Sequence, residues 1–354
     1  MIFVTGGCGF IGSCFVHDWL QQGDEPLLNI DALTYAGHLG NVQDLANHPR
    51  YNFAHADIRH ADAMQDLFLQ HKPRAVVHFA AESHVDRSIA APTAFLDTNV
   101  TGTLNLLRAS QALVETLPAD QAKAFRFVNV STDEVFGSLG PDDTPFAETN
   151  QYQPNSPYSA SKASADHFVR AWFHTFELPT ITTNCSNNYG PRQFPEKLIP
   201  LIIHNALRGE PLPVYGDGMQ VRDWLYVSDH CSALRAVLAR GQPGETYNIG
   251  GRSEMANLDV IRTVCSILDE LRPRSEPHAK LMRHVTDRRG HDRRYAIDDT
   301  KIARELDWKP AMRFADGIRN TVKWYIDHHD WVESVTSGSY RQWIEQQYPA
   351  AGRK

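Results

Sequence analysis

Tyr158 and Lys162 stand four residues apart in the segment SPYSASK (156–162). At this spacing two side chains share one face of a helix. A nearby ammonium favours the phenolate, so Lys162 is expected to lower the pKa of the Tyr158 phenol. Such a tyrosine can take a proton from a hydroxyl while hydride leaves the same carbon. Because Tyr–Lys pairs also occur on helices by chance, this pair predicts redox chemistry only in combination with other features.

Asp133 and Glu134 are adjacent carboxylic acids that follow an apolar strand segment (126–130) and the hydroxyl residues Ser131 and Thr132. An oxidation needs only the tyrosine, the lysine and a hydroxyl donor. Elimination of water also needs a base for a C–H proton and an acid for the departing hydroxyl. The pair therefore predicts an elimination. The alternative is that Asp133 caps a turn and Glu134 is solvated.

A glycine-rich loop near the N-terminus is typical of dinucleotide binding. Gly6, Gly9 and Gly12 follow a short apolar segment and open a stretch with helical periodicity. Glycines there allow a tight turn and close approach of the backbone to a pyrophosphate, which then faces the helix N-terminus. A tight strand–helix turn without a ligand is the alternative.

Asp31 ends the next predicted strand, 19 residues after Gly12. A carboxylate there can accept from both ribose hydroxyls and repels a 2′-phosphate, which favours NAD over NADP. Its alternative is a turn residue. Asp57 and Ile58, after the third strand, are expected at the adenine, although Asp57 fits a turn carboxylate equally well.

The elements that must position these residues alternate between strand and helix. Helices are predicted over 10–22, 61–70 and 95–117, and strands over 2–5, 27–30, 51–56, 75–80 and 126–130. This alternation predicts a Rossmann-type α/β fold, a doubly wound parallel sheet with helices on both faces. In such a sheet the ligand crevice lies beyond the carboxyl ends of the strands.

The second half of the chain has a different composition and a less regular pattern of elements. Loops rich in Asn, Pro and Gly separate helices predicted around 197–208, 228–240 and 257–271, with a terminal helix over 336–348. We predict an NAD-binding Rossmann domain over 1–184, to which the chain returns around 222–250. Residues 185–354 are expected to form mainly a smaller, mixed α/β substrate domain.

Composition narrows the class of protein. The formal net charge of -7 gives no general attraction for nucleic acid or anionic membranes. The N-terminus lacks the basic region of a signal peptide. The five cysteines lack CxxC spacing, so we expect no zinc or other metal site and a reducing compartment, the cytoplasm. These residues are Cys8, Cys14, Cys185, Cys231 and Cys265.

Across essentially its whole length the sequence resembles the dTDP-glucose 4,6-dehydratase family of extended short-chain dehydrogenases/reductases. The Thr-Asp-Glu triplet is the specific part, because relatives that only epimerise usually lack the acid pair. The matching segments are TGGCGFIGS (5–13), DALTYAG (31–37), AAESHVDRSI (80–89), STDEVFG (131–137), SPYSASKASADH (156–167), TNCSNNYGP (183–191), FPEKLIPL (194–201), LPVYGDG (212–218), RDWLYV (222–227), TYNIGG (246–251) and GHDRRYAID (290–298).

The resemblance implies a hydro-lyase with bound NAD and dTDP-glucose as substrate. Tyr158, supported by Lys162, would deprotonate O4 while the C4 hydride passes to NAD, and Thr132 would hold O4. Glu134 would remove the C5 proton and Asp133 would protonate the departing C6 hydroxyl. NADH would return the hydride to C6. The product is a 4-keto-6-deoxy sugar, a precursor in dTDP-rhamnose biosynthesis, and a homodimer is the family expectation.

The resemblance also implies a set of binding residues. The cofactor set comprises Gly6, Gly9, Phe10, Ile11, Gly12, Asp31, Leu33, Thr34, Asp57, Ile58, Ala80, Ala81, Ser83, Thr98, Tyr158 and Lys162. The substrate set comprises Ser83, Thr132, Asn187, Lys197, Leu198, Pro213, Tyr215, Arg222, Asn257, Arg288 and His291. The alternatives to substrate binding are a surface lysine for Lys197, a domain-joining ion pair for Arg222 and a packed turn aromatic for Tyr215.

Two positions depart from the family pattern. Phe136 stands where a tyrosine is usual, and Arg289 stands where a proline is usual. Neither position is one of the five catalytic candidates. Other functions remain open: dehydration of another nucleoside-diphosphate sugar, 4-epimerisation of such a sugar, and a binding protein that kept the fold without the chemistry. The thymine base rests on resemblance alone.

Overall fold

A computed structural model describes residues 1–288 and 290–336 of the chain. Its strands are β1 (Ile2–Thr5), β2 (Leu27–Asp31), β3 (Tyr51–His55), β4 (Ala75–His78), β5 (Arg126–Thr132), β6 (Thr180–Cys185), β7 (Asn187–Tyr189), β8 (Leu212–Tyr215), β9 (Val221–Tyr226), β10 (Thr246–Ile249), β11 (Glu254–Ala256) and β12 (Met282–Val285).

The α-helices are α1 (Phe10–Gln22), α2 (Ala61–His71), α3 (Val85–Ala90), α4 (Pro92–Phe95), α5 (Thr103–Val114), α6 (Ala119–Ala124), α7 (Pro157–Phe176), α8 (Leu198–Arg208), α9 (Val227–Arg240), α10 (Asn257–Leu271), α11 (Thr300–Leu306), α12 (Phe314–Asp327) and α13 (His329–Thr336). Short 3₁₀ turns occupy Leu39–Asn41, Gln43–Leu45, Asp133–Phe136 and His278–Leu281, and a π-helical segment occupies Leu96–Gly102.

Seven strands form one sheet in the order β10-β6-β5-β4-β1-β2-β3, and every neighbouring pair is parallel. The predicted Rossmann-type fold is confirmed. Strand order reverses between β1 and β4, where Thr5 pairs with His78. A crevice therefore opens beyond the carboxyl ends of these two strands.

The sheet is buried on both faces, because alternate residues of each central strand enter different cores. Val128 of β5 belongs to a core with side chains of α1 and α9, whereas its neighbour Phe127 packs with side chains of α2 and α5. Both residues are fully buried. This explains why the strand reads as a continuous apolar run.

A smaller mixed α/β region covers the crevice. It holds a three-stranded sheet (β11-β9-β7), a parallel β12-β8 pair and a core of side chains from α8, α10 and α12. The chain returns to the large sheet through β10, which pairs with β6. That the larger region binds the cofactor and the smaller region binds the substrate stays a prediction.

The long helix predicted over 95–117 was wrong in one respect, because it is interrupted by the π-helical segment. Inside that segment the Asn99 side chain exchanges hydrogen bonds with both backbone groups of Glu82 and donates to the Ser161 hydroxyl. Thr103 Oγ1 also donates to the Asn99 carbonyl over 2.6 Å. Apolar periodicity does not reveal such contacts between distant segments.

The terminal helix predicted over 336–348 lies, from residue 337 onward, outside the described residues. Within the described ranges, none of the helices combines the length and apolar character needed to cross a membrane.

Candidate active site

One cavity at the carboxyl ends of the parallel strands brings together the glycine loop, the Tyr–Lys pair and the acid pair. The predicted residues that line it are Gly6, Gly9, Phe10, Ile11, Gly12, Asp31, Thr34, Asp57, Ile58, Ala80, Ala81, Ser83, Thr98, Thr132, Asp133, Glu134, Tyr158, Lys162, Asn187 and Lys197. The predicted residues that do not line it are Leu33, Leu198, Pro213, Tyr215, Arg222, Asn257, Arg288 and His291.

The glycine loop has no space for a side chain at Gly6 or Gly12. Gly6 has φ +74°, and a Cβ there would lie 2.7 Å from the Ala80 nitrogen. A Cβ on Gly12 would lie 2.2 Å from the Gly6 carbonyl oxygen. Gly9 precedes α1 and provides no side-chain cap, so the first N–H groups of that helix lack a capping side chain. Such a helix start is suited to an anion.

Asp31 is held by the backbone on both sides of its carboxylate. One oxygen accepts from the Cys8 N–H and the other from the Leu33 N–H, each over 2.8 Å. Burial raises the pKa of Asp31, and these two hydrogen bonds oppose the rise. The residue is thus both a turn anchor and a carboxylate in the cavity wall. Asp57 also lines the cavity and binds the Arg59 guanidinium over 2.6 Å.

Tyr158 lies in the first turn of α7, whose start is defined by Pro157 and a reciprocal capping box between Ser156 and Ser159. One turn later, the Lys162 ammonium donates to the Val130 carbonyl over 2.9 Å. Lys162 is only 4% exposed, and burial lowers its pKa.

The pKa of Tyr158 runs contrary to the sequence prediction. Burial raises it well above its usual range, and the negative charge of Glu134 raises it further, while a hydrogen bond with Thr132 opposes the rise. The helical spacing correctly predicts that Lys162 shares the face of Tyr158. It does not reveal that Glu134 faces the phenol or that a carbonyl binds the ammonium.

The two adjacent acids occupy different environments. Asp133 is 1% exposed; one of its oxygens accepts from the Thr132 hydroxyl over 3.3 Å, and the other has no hydrogen-bond partner in the described part of the chain. Burial raises the pKa of Asp133 well above its usual range, and the charges of Glu134 and Asp223 add to the rise.

Glu134 is partly exposed to the cavity and lies near cations. Burial raises its pKa, but the charges of Lys197, Arg222 and Arg288 lower it. The pKa of Asp133 is therefore raised more strongly than that of Glu134. An acid and a base side by side, beside a Tyr–Lys pair, can support proton abstraction and elimination.

Lys197 connects the two regions at the cavity wall. It precedes α8, and its ammonium donates to the Ser83 carbonyl over 2.8 Å. It is not a surface lysine. Asn187 also lines the cavity, and its side-chain oxygen is buried without a hydrogen-bond partner among residues 1–288 and 290–336. Leu198 is the first residue of α8 and lies beside Lys197 in the chain.

Three of the remaining substrate candidates form a second cluster. The Arg288 guanidinium lies 5.2 Å from the centre of the Tyr215 ring and 3.2 Å from the Asp86 carboxylate. The Tyr215 ring lies 6.3 Å from the imidazole of His291, whose Nδ1 is 2.6 Å from Asp287. The Tyr215 ring thus lies beside a guanidinium and an imidazole.

Arg222 is buried and lies 4.3 Å over the Tyr295 ring. It donates to the carbonyls of Val221 and Asp292, in place of the ion pair considered as its alternative. Pro213 is buried in β8, and Asn257 begins α10.

Glu196 lines the same cavity, although it is not among the site residues predicted from the sequence. Burial raises the pKa of Glu196 to about 7, while Lys197 and Arg87 oppose the rise. Its carboxylate lies 3.4 Å from the Arg87 guanidinium and 4.0 Å from the His84 ring. The available signal was an acid beside Lys197 in an otherwise apolar segment.

Phe136 does not face the cavity. It is 2% exposed, stacks on Phe146 with ring centres 5.2 Å apart and meets Tyr152 edge-on at 5.1 Å. The hydroxyl that a tyrosine would have at this position is absent, and the Phe136 ring packs against two aromatic side chains. The other departure, Arg289, lies outside the described residues.

Residues 3–321 match the family described as GDP-mannose 4,6 dehydratase. The dTDP-glucose 4,6-dehydratase of Shigella flexneri is 55% identical over 355 residues, 98% of each chain. Among solved structures, DesIV, the dTDP-glucose 4,6-dehydratase of Streptomyces venezuelae with NAD bound, aligns with a TM-score of 0.86 at 44% identity, over 94% of this chain and 99% of that one. The Bacillus anthracis enzyme with NAD gives 0.84 at 45% identity, with the same coverage.

The raised pKa of Asp133 predicts a pH-dependent stability difference. A raised folded-state pKa means that stability present below the unfolded value is lost as the pH rises through the folded value. Asp133→Asn cannot ionise. Its free energy of unfolding, relative to the unmodified protein, should therefore increase from about pH 4 to about pH 8 in urea titrations.

Asp120→Asn, an exposed acid on α6, is the matched control and should show no such trend. A difference for Asp133→Asn that stays constant across this pH range would contradict an ionisable carboxyl held in a desolvating site.

Proposed function

The chain belongs to the GDP-mannose 4,6-dehydratase family and, within it, to the dTDP-glucose 4,6-dehydratases, and from this premise we propose that it converts dTDP-glucose to dTDP-4-keto-6-deoxyglucose and water. The observation that carries the proposal is the convergence of Tyr158, Lys162, Asp133 and Glu134 on one cavity. A redox pair alone serves oxidation or epimerisation, whereas elimination needs the acid and the base as well.

The residues at the open end of β1 fit NAD. The glycine loop can pack tightly against the segment after β4 and the start of α1 because Gly6 and Gly12 have no side chains, and α1 presents N–H groups without a capping side chain to an anion. Asp31 is fixed at the end of β2, where a carboxylate suits the ribose hydroxyls of NAD. When bound, NAD supplies a hydride acceptor and donor and a positively charged nicotinamide ring.

In the oxidation, Tyr158 removes the proton from O4 of the glucosyl group as hydride leaves C4. Burial and Glu134 hold the pKa of the phenol high, so positive charge beside the ring is needed to bring it into range. Lys162 contributes from the same helix face, and Thr132 hydrogen-bonds at O4. The product of this step is a 4-ketone, which acidifies the C5–H bond.

In the elimination, Glu134 takes the C5 proton and Asp133 protonates the C6 hydroxyl, which leaves as water. The environments support this assignment. Burial and the charges of Glu134 and Asp223 raise the pKa of Asp133, which the charge of Arg222 opposes. Burial also raises the pKa of Glu134, but the charges of Lys197, Arg222 and Arg288 all lower it. Hydride then returns to C6 and a proton to C5, so no net reducing equivalent is consumed.

The nucleoside diphosphate is proposed to lie between the two regions. Arg222, Arg288, Lys197 and Asn187 supply cationic and amide groups for phosphate. The base and ribose would meet residues of the smaller region, with Ser83 at the sugar. These further candidates are Leu198, Pro213, Tyr215, Asn257 and His291.

Turnover with dTDP-glucose tests the proposal directly. The protein should form a 4-keto sugar, detected by its absorbance in alkali, without net formation of NADH. A panel with UDP-, CDP- and GDP-glucose sets the base specificity, and dTDP-glucose should give the highest kcat/KM. Formation of dTDP-galactose without a ketone would instead identify an epimerase.

Two paired variants separate the half-reactions. Glu134→Gln keeps the oxidation machinery, so bound NADH should form at a near-normal rate while elimination slows roughly 10²- to 10⁴-fold. Tyr158→Phe removes the first base, so NADH formation itself should slow by a similar factor. Single-turnover absorbance of NADH and solvent deuterium incorporation at C5 distinguish the two. Full elimination by Glu134→Gln would refute its role as base.

We also propose a homodimer. Ile89 on α3, Leu96 in the π-helical segment and Phe168 on α7 are 43%, 55% and 38% exposed, on elements that pack against one another. We infer that they belong to one contact surface, because exposed apolar groups on adjacent elements mark protein interfaces. The five cysteines are all unpaired, which supports function in the reducing cytoplasm.

Sedimentation at several protein concentrations checks the dimer. Leu96→Asp and Phe168→Asp should each shift the species to monomer by burying a charge in the contact. Leu207→Asp is the matched control, because Leu207 is 36% exposed on α8. A monomer in the unmodified protein, or dimers in both interface variants, would overturn the proposed contact.

A further inference from the structure

Asp166 continues the stripe formed by Tyr158 and Lys162 on α7. It follows Lys162 by four residues and Tyr158 by eight, so all three side chains lie on one helix face. Asp166 is 4% exposed and is not among the residues that line the cavity. Neither proton transfer nor binding in the proposed reaction uses it. A buried carboxylate without a chemical role calls for a physical explanation.

The Asp166 carboxylate binds β5 on both sides of Val130. One oxygen accepts from the Asn129 amide and the other from the Ser131 hydroxyl, each over 2.7 Å. The Lys162 ammonium donates to the carbonyl of Val130 itself. Lys162 and Asp166, one helical turn apart, therefore hydrogen-bond to three consecutive residues of β5.

These hydrogen bonds from α7 to β5 lie just before the acid pair in the chain. Ser131 is followed by Thr132, Asp133 and Glu134, so any shift of β5 along α7 moves these groups relative to Tyr158. Asn184 of β6 adds a second hold, because its amide donates to the Thr132 carbonyl over 3.1 Å.

Asp166 also supplies charge. Burial lowers the pKa of Lys162, and Asp166 is the main influence that raises it again. The other titratable neighbours are Tyr152, whose phenol binds Asp166 and whose pKa burial raises, His78 on β4 and Cys185 on β6, besides Tyr158. Burial lowers the pKa of His78 to about 3 and raises the pKa of the Cys185 thiol, so the imidazole and the thiol are neutral near pH 7. Burial also raises the pKa of Asp166, whereas the charge of Lys162 and hydrogen bonds from Ser131, Asn129 and Tyr152 stabilise its ionised form.

We propose that Asp166 is a positioning residue of the dehydration. By binding Asn129 and Ser131 it holds β5 at one position along α7, and its charge keeps the Lys162 ammonium in place beside Tyr158. The residue thereby couples the oxidation half of the site to the elimination half. The proposal rests on the proposed function.

Asp166→Asn separates charge from hydrogen bonding. The Ser131 hydroxyl can rotate, and the Asn129 amide can reverse, since its oxygen has no hydrogen-bond partner in the described residues. The two contacts survive while the charge is lost. Without that charge the pKa of Lys162 falls further. The alkaline limb of the pH profile for bound NADH formation should therefore move to lower pH, with elimination from the ketone nearly unchanged.

Asp166→Ala removes the contacts as well. Its elimination step, followed by deuterium incorporation at C5, should slow by roughly 10- to 100-fold in addition to the shifted pH profile, because small misplacements cost this much. Ser131→Ala removes one contact and no charge, so it should slow elimination and leave the alkaline limb where it is. Ser164→Ala, whose hydroxyl donates to the Ala160 carbonyl within α7, is the control and should match the unmodified protein.

Turnover by the unmodified protein is established first, since its absence contradicts the proposed function and not the role of Asp166. Amide hydrogen exchange needs no turnover. Exchange over 126–137 should accelerate in Asp166→Ala but much less in Asp166→Asn. An unshifted pH profile in Asp166→Asn, or unchanged exchange and an unchanged ratio of elimination to oxidation in Asp166→Ala, would overturn the proposal.

Discussion

Burial of ionisable groups between β5 and α7 controls the chemistry of this cavity. A charge removed from water is stable only when fixed partners replace the solvent. Lys162 has the Val130 carbonyl and the charge of Asp166. Glu134 has three cations, whereas Asp133 has one oxygen without a partner among the described residues and anionic neighbours. The same burial thus raises the pKa of Asp133 more strongly than that of Glu134, as the proposed roles of acid and base require.

The parallel sheet makes this arrangement rigid. The cavity lies where the strand order reverses, so α1 and α7 reach it from different connections while β4, β5 and β6 end at its floor. Strands buried on both faces cannot slide without exposing apolar side chains. The catalytic candidates lie at the end of β5, in the turn after it and in the first two turns of α7, which this packing holds in place.

Charged contacts also join the two regions of the chain. Lys197 reaches the Ser83 carbonyl, and Arg288 pairs with Asp86 at the start of α3. Both cations belong to the proposed phosphate-binding set and influence the pKa of Glu134. The contacts that join the two regions, the proposed binding of phosphate and the pKa of Glu134 consequently depend on the same side chains.

The sequence by itself determined the alternation of strands and helices, the glycine loop before α1 and the shared helix face of Tyr158 and Lys162. These features depend on local spacing and backbone sterics, which a short segment specifies. Helix boundaries of α8, α9 and α10 followed from periodicity to within about one residue. Only the tertiary structure decided the π-helical break at Asn99, the hydrogen bonds of Asp166 to β5, the place of Glu196 in the cavity and the raised pKa of Tyr158. Each of these depends on partners far away in the chain, and desolvation is a property of the assembled interior that no local pattern encodes.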